Sequence, residues 1–219
     1  MTFLNICNKV LTKLRKSSLT SSNFSTDSYG LLIQQLVNEA KLEVENAWRW
    51  SMLRKTVTVT TDGTNDVFTV TGATQRCQLL DAYNTSQSWL MREIPNDKMR
   101  FIKKTTDSPN GNPYWYTLTS DTQITDNTIN MQIWPYAVSG QNIDIMLYDP
   151  QADLSAYTDN LYIPEMPVIL GAYAKAVEER GEDGGVSFAN AYAIYEKSLA
   201  AHISIDAQRL LESADWQVV

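Results

Sequence analysis

The chain has 219 residues, 43% of them hydrophobic, and a mean hydropathy of -0.29, which fits a globular protein with one sizeable core or two small ones. Its formal net charge of -7 argues against a protein that binds nucleic-acid phosphates, because such binding depends on clustered Lys and Arg. Since no apolar run approaches the roughly 18 to 20 residues that cross a bilayer, we expect no membrane anchor and no signal peptide.

Two helices are predicted near the start of the chain. Apolar residues from Phe3 to Leu14 are spaced three and four apart, which is typical of an amphipathic helix. After a loop rich in Ser and Thr, the same spacing runs from Tyr29 to the aromatic cluster at residues 48–50, and a side chain among residues 26–28 can cap this second helix. We expect the two helices to pair.

In the middle of the chain the spacing of apolar residues changes from that of a helix to that of a strand. Residues 55–61 alternate β-branched side chains, and turn-forming residues 62–65 lead to a second apolar run at residues 67–70, so the pattern predicts a β-hairpin. Turn-rich segments separate further strand candidates, which lie at residues 78–82, 88–92, 114–119, 131–134 and 142–148. The sequence therefore predicts a β domain of roughly 100 residues.

Helical spacing returns after residue 160. A third helix is expected to begin at Pro164-Glu165-Met166-Pro167 and to end at Gly181. A fourth should bury one stripe, made of Phe188, Tyr192, Tyr195, Leu199, Ile203, Ala207 and Leu210.

These elements predict an α+β fold, in which an antiparallel bundle of about four helices carries an inserted, mainly antiparallel β domain. The N- and C-terminal segments, residues 1–54 and 160–211, would form the discontinuous bundle. Residues 55–159 would form the β domain, and residues 212–219 a C-terminal tail.

Residues that carry chemistry are sparse. His202 is the single histidine, and the cysteines Cys7 and Cys77 lie far apart, which favours buried thiols made in a reducing cytosol over a disulfide or metal pair. Acidic residues near positions 39–45 and 178–183 lie on predicted helices, where a solvated face is favoured over a catalytic pair. We therefore expect no enzyme activity, no catalytic residue, no cofactor and no metal.

Aromatic residues concentrate in the predicted β domain. We assign four of them to a tail-side or inter-subunit interface, because aromatic side chains contribute large contact areas: Trp115, Tyr116, Trp134 and Tyr136. Stacking on sugar rings is the alternative, which would make this region a carbohydrate-binding module.

Several short motifs follow one another in a recognisable order. They are Met1 to Cys7 ahead of a Leu-containing helix, Ala47-Trp48-Arg49-Trp50, Gly111 to Tyr116, Trp134-Pro135, Leu147-Tyr148, Ile163 to Pro167, and Tyr192-x-x-Tyr195 with Leu199. In this order the chain resembles the head-to-tail adaptor family of tailed bacteriophages, including the tail tubular protein A type of short-tailed phages. The resemblance covers nearly the whole chain.

The resemblance implies a structural virion protein of the head-tail junction, synthesised in the host bacterial cytoplasm. Its copies would form a homo-oligomeric ring of twelve subunits that joins the portal protein to the tail nozzle or tail tube. Double-stranded DNA would pass through the ring during ejection without specific binding. A carbohydrate-binding β module of a phage tail or receptor-binding protein is the alternative.

A portal contact is predicted in the C-terminal tail. The residues concerned are Asp215, Trp216, Val218 and Val219, with Trp216 as the anchor, because a short segment with one buried aromatic side chain is an efficient attachment device. A frayed terminus is the alternative for this segment.

Overall fold

The computed structural model describes residues 1–72, 76–105, 111–119, 128–136, 138–181 and 186–209. Within these ranges the chain is α+β, with five helices and two sheets, which confirms the predicted class. It divides into two compact units. The helical unit comprises Met1–Leu53 and Ala152–Val219, and the β unit comprises Arg54–Gln151.

The helices are α1 (Phe3–Lys13), α2 (Ser28–Ala47), α3 (Asn96–Thr105), α4 (Glu165–Arg180) and α5 (Val186–Arg209), with a short 3-10 helix at Ser51–Leu53. The strands are β1 (Arg54–Thr60), β2 (Val67–Thr71), β3 (Gln78–Asn84), β4 (Trp89–Leu90), β5 (Arg92–Glu93), β6 (Trp115–Thr119), β7 (Thr128–Trp134) and β8 (Asn142–Tyr148).

Helix α4 is the centre of the helical unit, where it packs against α1, α2 and α5. Its residues from Pro167 to Ala172 are buried without interruption. A Cβ at Gly171 would lie 3.2 Å from the Cβ of Ala40 on α2 and 3.2 Å from the ring of Tyr195 on α5. Both contacts are tighter than usual, so a side chain at this position would require Ala40 or Tyr195 to move, and glycine favours the close approach of the three helices. The prediction that Gly181 ends α4 is confirmed, since its φ is 59°.

The predicted pairing of α1 with α2 is confirmed by their direct contact. Among the three candidate caps, Asp27 caps α2, because its carboxylate accepts a 2.6 Å hydrogen bond from the backbone N–H of Gly30. The Asn8 side chain accepts from the N–H of Leu19 and donates to its carbonyl, so the loop is tied back onto α1.

The stripe predicted for α5 needs a correction. Tyr195 and Ala191 are buried, but Tyr192, which was assigned to the same stripe, is exposed. Because α5 packs chiefly against α4, only a narrow line of its surface is covered. Leu210 lies outside the described residues.

The β unit is built from two four-stranded sheets, with strand orders β1-β8-β3-β4 and β2-β7-β6-β5. All pairs are antiparallel except β5 with β6. Their inward-facing side chains share one core, which includes Met131 and Ile133 from one sheet and Ile143, Ile145 and Leu147 from the other. The alternation along β8 therefore places every second side chain between the sheets.

The predicted hairpin is wrong. Strand β1 pairs with β8, where Val57 faces Ile145, and β2 pairs with β7, where Val70 faces Ile129. The turn residues are still used, because the Asp62 carboxylate accepts hydrogen bonds from the N–H groups of Thr64 and Asn65, but the chain leaves one sheet there and enters the other. The alternation along a strand specifies which of its faces is buried, but it does not specify which strand pairs with it.

Two further features of the β unit were not predicted. The candidate strand at residues 88–92 is split at buried Met91, so β4 lies in one sheet and β5 in the other. Helix α3 occupies a segment that was assigned to turns. Met99 is its single fully buried residue, and apart from Met99, Phe101 and Ile102 its residues are polar.

Candidate interaction surfaces

The C-terminal end of α5 is held by one carboxylate. Asp206 is 3% exposed and accepts three hydrogen bonds, from the Trp48 Nε1–H (3.1 Å), the Ser51 N–H (2.9 Å) and the Ser51 hydroxyl (2.6 Å). The aromatic segment that follows α2 therefore supplies the donors, and α5 supplies the acceptor. The last described turn of α5 is fixed in place by this contact, so the tail must leave from it.

Burial of Asp206 acts to raise the pKa of its carboxyl, and the hydrogen bonds from Ser51 and Trp48 act to lower it. The donors prevail together with the nearby Arg209, and the pKa of Asp206 lies below its ordinary value of 3.8. The carboxylate is therefore charged at neutral and mildly acidic pH.

Helix α2 presents an exposed face with both apolar and acidic side chains. Leu31 and Leu42 are 46% and 39% exposed. Beside them, Glu43 forms a 2.7 Å ion pair with Lys175 of α4, and Glu39 lies 3.9 Å from the same ammonium. Two carboxylates share one described cation there, so the face keeps a negative charge.

The four aromatic residues assigned to an interface have different environments. Tyr116 and Trp134 are buried at 3% exposure each, Tyr116 between the sheets and Trp134 beside Ile94 and Met99. Burial raises the pKa of Tyr116 to about 12, with Glu93 and Asp81 adding to the effect. Trp115 and Tyr136 are half-buried. Two of the four side chains can therefore reach a partner without unfolding the unit.

Tyr114 is the more accessible aromatic side chain of this region, at 50% exposure, and the interface assignment omitted it. Its ring stacks on Trp89 with centroids 4.7 Å apart, and the Trp89 indole N–H donates to the carbonyl of Pro113. The signal in the sequence was its place at the start of a predicted strand, next to Trp115 and Tyr116. A sugar needs an open ring face, so the burial of Tyr116 and Trp134 does not favour the carbohydrate-binding alternative.

A basic cleft of about 380 Å³ lies along α3. It is lined by Asn96, Arg100, Lys103, Lys104 and Gln132. The Asp66 carboxylate binds both the Lys103 ammonium and the Gln132 amide, which neutralises one of the three cations. Arg100 and Lys104 keep the cleft positive in a chain of negative net charge.

The surroundings of Cys7, Cys77 and His202 are those of structural residues. Burial raises the pKa of the Cys7 thiol to about 12 and that of Cys77 to about 11, the latter with a contribution from Asp149, so neither is a thiolate near neutral pH. The Nδ1 of His202 lies 2.8 Å from the carbonyl oxygen of Ser198, one turn earlier in α5. Within the described residues, no three His, Cys, Asp or Glu side chains gather as metal ligands would.

The predicted portal contact cannot be located, because Asp215, Trp216, Val218 and Val219 lie outside the described residues. Of the helices in the described ranges, none is long and apolar enough to span a membrane.

Comparison with known families identifies the chain. The family model described as SU10 adaptor protein matches residues 1–216 and so covers both the helical unit and the β unit. The chain belongs to the SU10 adaptor protein family. This is a phage head-to-tail adaptor family, so the resemblance found in the sequence is confirmed. No curated protein matches the chain.

As an SU10 adaptor protein, the chain is a structural component of a phage virion. For such a protein the functional sites are docking surfaces. Four surfaces in the described residues fit that role: the exposed face of α2, the aromatic patch around Tyr114, the basic face of α3, and the exposed apolar side chains of α5.

Proposed function

We propose that this SU10 adaptor protein is one subunit of a ring that links the portal to the tail nozzle and lines the channel through which DNA is ejected. The observation that carries the proposal is the family match, which extends over residues 1–216 and leaves neither structural unit outside the adaptor. The virion location that follows is the head-tail junction, and twelve is the number of copies we expect.

The helical unit is proposed to act as a four-helix bundle and to build the ring. A closed ring needs a heterologous interface, in which one face of a subunit meets a different face of its neighbour. The narrow buried line of α5 supports this role, because Tyr192, Ile194 and Ile205 are left exposed on that helix. Exposed apolar side chains on a helix are available for burial against a second protein.

The aromatic patch of the β unit is proposed to contact the tail side or a neighbouring subunit. Trp115, Tyr136 and Tyr114 supply accessible rings, and Trp134 supports Tyr136 from beneath at a ring distance of 4.9 Å. Aromatic side chains concentrate binding energy when a partner covers them. Tyr116 and Trp134 would then position the patch.

The tail is proposed to reach the portal through Asp215, Trp216, Val218 and Val219. The hydrogen bonds of Asp206 support the proposal, because they hold the last described turn of α5, which precedes these residues in the sequence. A segment that orders on docking and buries one tryptophan would add a second point of attachment to the portal.

The channel is proposed to pass DNA without holding it. The net charge of -7 supports this, because phosphates bind where clustered Lys and Arg release counterions and are repelled by an acidic surface. DNA can then slide during ejection.

Mixing the purified protein with its cognate portal rings tests the proposal. Co-sedimentation should show the protein moving with the portal, and the complex should have a larger mass than the portal alone. A protein that stays free at every concentration would refute the proposed role. A glycan-binding screen of the same sample serves as the control for the sugar-binding alternative.

A further inference from the structure

The outer face of α3 combines two cations with one exposed aromatic ring. Arg100, Phe101 and Lys104 are all exposed, Phe101 at 66%. Lys104 follows Arg100 by four positions and Phe101 by three, so the three side chains lie on one side of the helix. Met99 and Ile102 face the interior. Arginine and aromatic side chains are enriched where proteins bind one another.

Within the described residues of the β unit, side chains pair with only one of the three cations that line the cleft along α3. Lys103 is bound to Asp66. Arg100 and Lys104 form no ion pair with any side chain in the ranges that the structure describes. An acidic partner would therefore meet two available cations beside the Phe101 ring.

The exposed face of α2 has the opposite character. Leu31 and Leu42 lie eleven positions apart, which is about three turns, and thus share one side of the helix. Glu39 and Glu43 border that side, with Lys175 as their common cation. Exposed Leu42, with acids beside it, is complementary to an aromatic ring bordered by bases.

We propose that the α3 face of one copy docks on the α2 face of a second copy of this chain. The proposal rests on the proposed ring, since a heterologous contact of two different faces is what a closed ring requires. Phe101 would pack on Leu42, and Arg100 and Lys104 would face Glu39 and Glu43. A second copy is the occupant because the chain itself carries both complementary faces.

Charge reversal on either face tests the proposal in the full-length chain. The variants R100E/K104E and E39K/E43K should each need at least about tenfold higher concentration for half-maximal assembly, measured by sedimentation velocity alone and with portal rings. K13E/K16E, at exposed positions at and just after the end of α1, carries the same change in net charge as R100E/K104E outside the proposed contact, and it should assemble like the unmodified chain.

An equimolar mixture of the two reversed variants makes the test specific. The acidic α3 of R100E/K104E fits the basic α2 of E39K/E43K, and the remaining faces are unaltered and fit each other. The mixture should assemble although each variant alone does not, and this rescue excludes misfolding as the cause. Raising the salt concentration should weaken assembly of the unmodified chain and of the mixture alike.

Three outcomes have different meanings. If the unmodified chain assembles and both reversed variants assemble equally well, the docking proposal is wrong and the ring stands. If both variants fail and the mixture also fails, complementarity between these two faces is refuted. If R100E/K104E changes only retention on DNA, α3 is a phosphate-binding face and the proposed contact is overturned. Failure of the unmodified chain to assemble or bind portal would instead refute the proposed function.

Discussion

Two ion pairs in the helical unit show how burial changes the free-energy cost of breaking an ion pair. Lys41 and Glu45 on α2 are 3.3 Å apart with side chains that are both 0% exposed, and Asp153 lies 3.9 Å from the same ammonium. Lys175 and Glu43 are closer, at 2.7 Å, but are partly in contact with water. The buried pair is costly to break, because a charge that loses its counterion inside a protein cannot be solvated.

Replacing Lys41 with Met should therefore destabilise the protein by about 3 to 5 kcal/mol, since the Glu45 carboxylate loses this ammonium at a buried position. Lys175→Met is the matched control, and about 1 kcal/mol or less is expected for its more exposed pair. Urea unfolding followed by circular dichroism measures both. Equal costs would contradict the assignment of Lys41 to a buried pair.

Asp206 gives a second prediction at the residue scale. Asp206→Ala removes three hydrogen bonds and leaves the donors of Trp48 and Ser51 without their acceptor, so a loss of about 2 to 3 kcal/mol is expected. Thermal unfolding at neutral pH measures it. A change below about 0.5 kcal/mol would show that the contact does not hold α5.

The same carboxylate should make the stability of the fold depend on pH in the acidic range. Because the pKa of Asp206 is lowered in the folded state, its charged form stabilises the fold above pH 3.8, and that contribution is lost as the pH falls below 3.8 through the lowered value. Asp206→Asn should flatten this part of the pH dependence relative to the unmodified protein. Identical slopes between pH 5 and the lowest pH at which the protein is folded would rule the effect out.

At the scale of elements, α4 depends on a close approach. Gly171→Leu should destabilise the helical unit by about 1 to 3 kcal/mol, because a side chain there meets Ala40 and Tyr195 at once. Ala201→Leu, at an exposed position of α5, is the control and should change stability little. Thermal unfolding separates the two. A neutral Gly171→Leu variant would mean that the helices can move apart freely.

Helical periodicity predicted the four helices of the helical unit, because each carries enough apolar residues at regular spacing. Helix α3 was missed because its ten residues contain only three apolar side chains, Met99, Phe101 and Ile102, and segments rich in turn-forming residues flank it. The helix is held by contact with β6 and with Trp134, which the folded sheets bring near, and with Ile94 just before it in the chain. Local sequence does not contain that information.

Strand positions were also readable, but strand partners were not. Residues 55–61 and 67–70 have the alternation and turn of a hairpin, and their true partners, β8 and β7, are more than fifty residues away along the chain. What decides the pairing is a core between two sheets, in which Val57 and Val70 both contribute. Long-range packing of this kind outweighs the local turn preference.

At the scale of the whole molecule, the family was predictable from the order of motifs, but the docking surfaces were only partly so. Trp115 and Tyr136 are half-buried, whereas Tyr116 lies in the core between the sheets and Trp134 is covered by Ile94 and Met99. Trp115 and Trp134 pair across two strands and share one sheet face, so their different exposure depends on where α3 packs. The basic face of α3 could not be predicted because the helix itself was not.

The tail gives a prediction at this scale. Deleting residues 213–219 should abolish or greatly weaken binding to portal rings and leave the thermal stability unchanged, because the segment follows the contact that Asp206 makes with Ser51. Trp216→Ala should reproduce most of the loss in a co-sedimentation assay. Full binding by the truncated protein would assign portal contact to another surface.

Electron microscopy of the protein mixed with its portal tests the central claim most directly. A ring made of copies of this chain, coaxial with the portal and pierced by an open channel, is the result that the adaptor assignment predicts. Portal rings with no added density, observed under conditions in which the protein is folded and in excess, would contradict it.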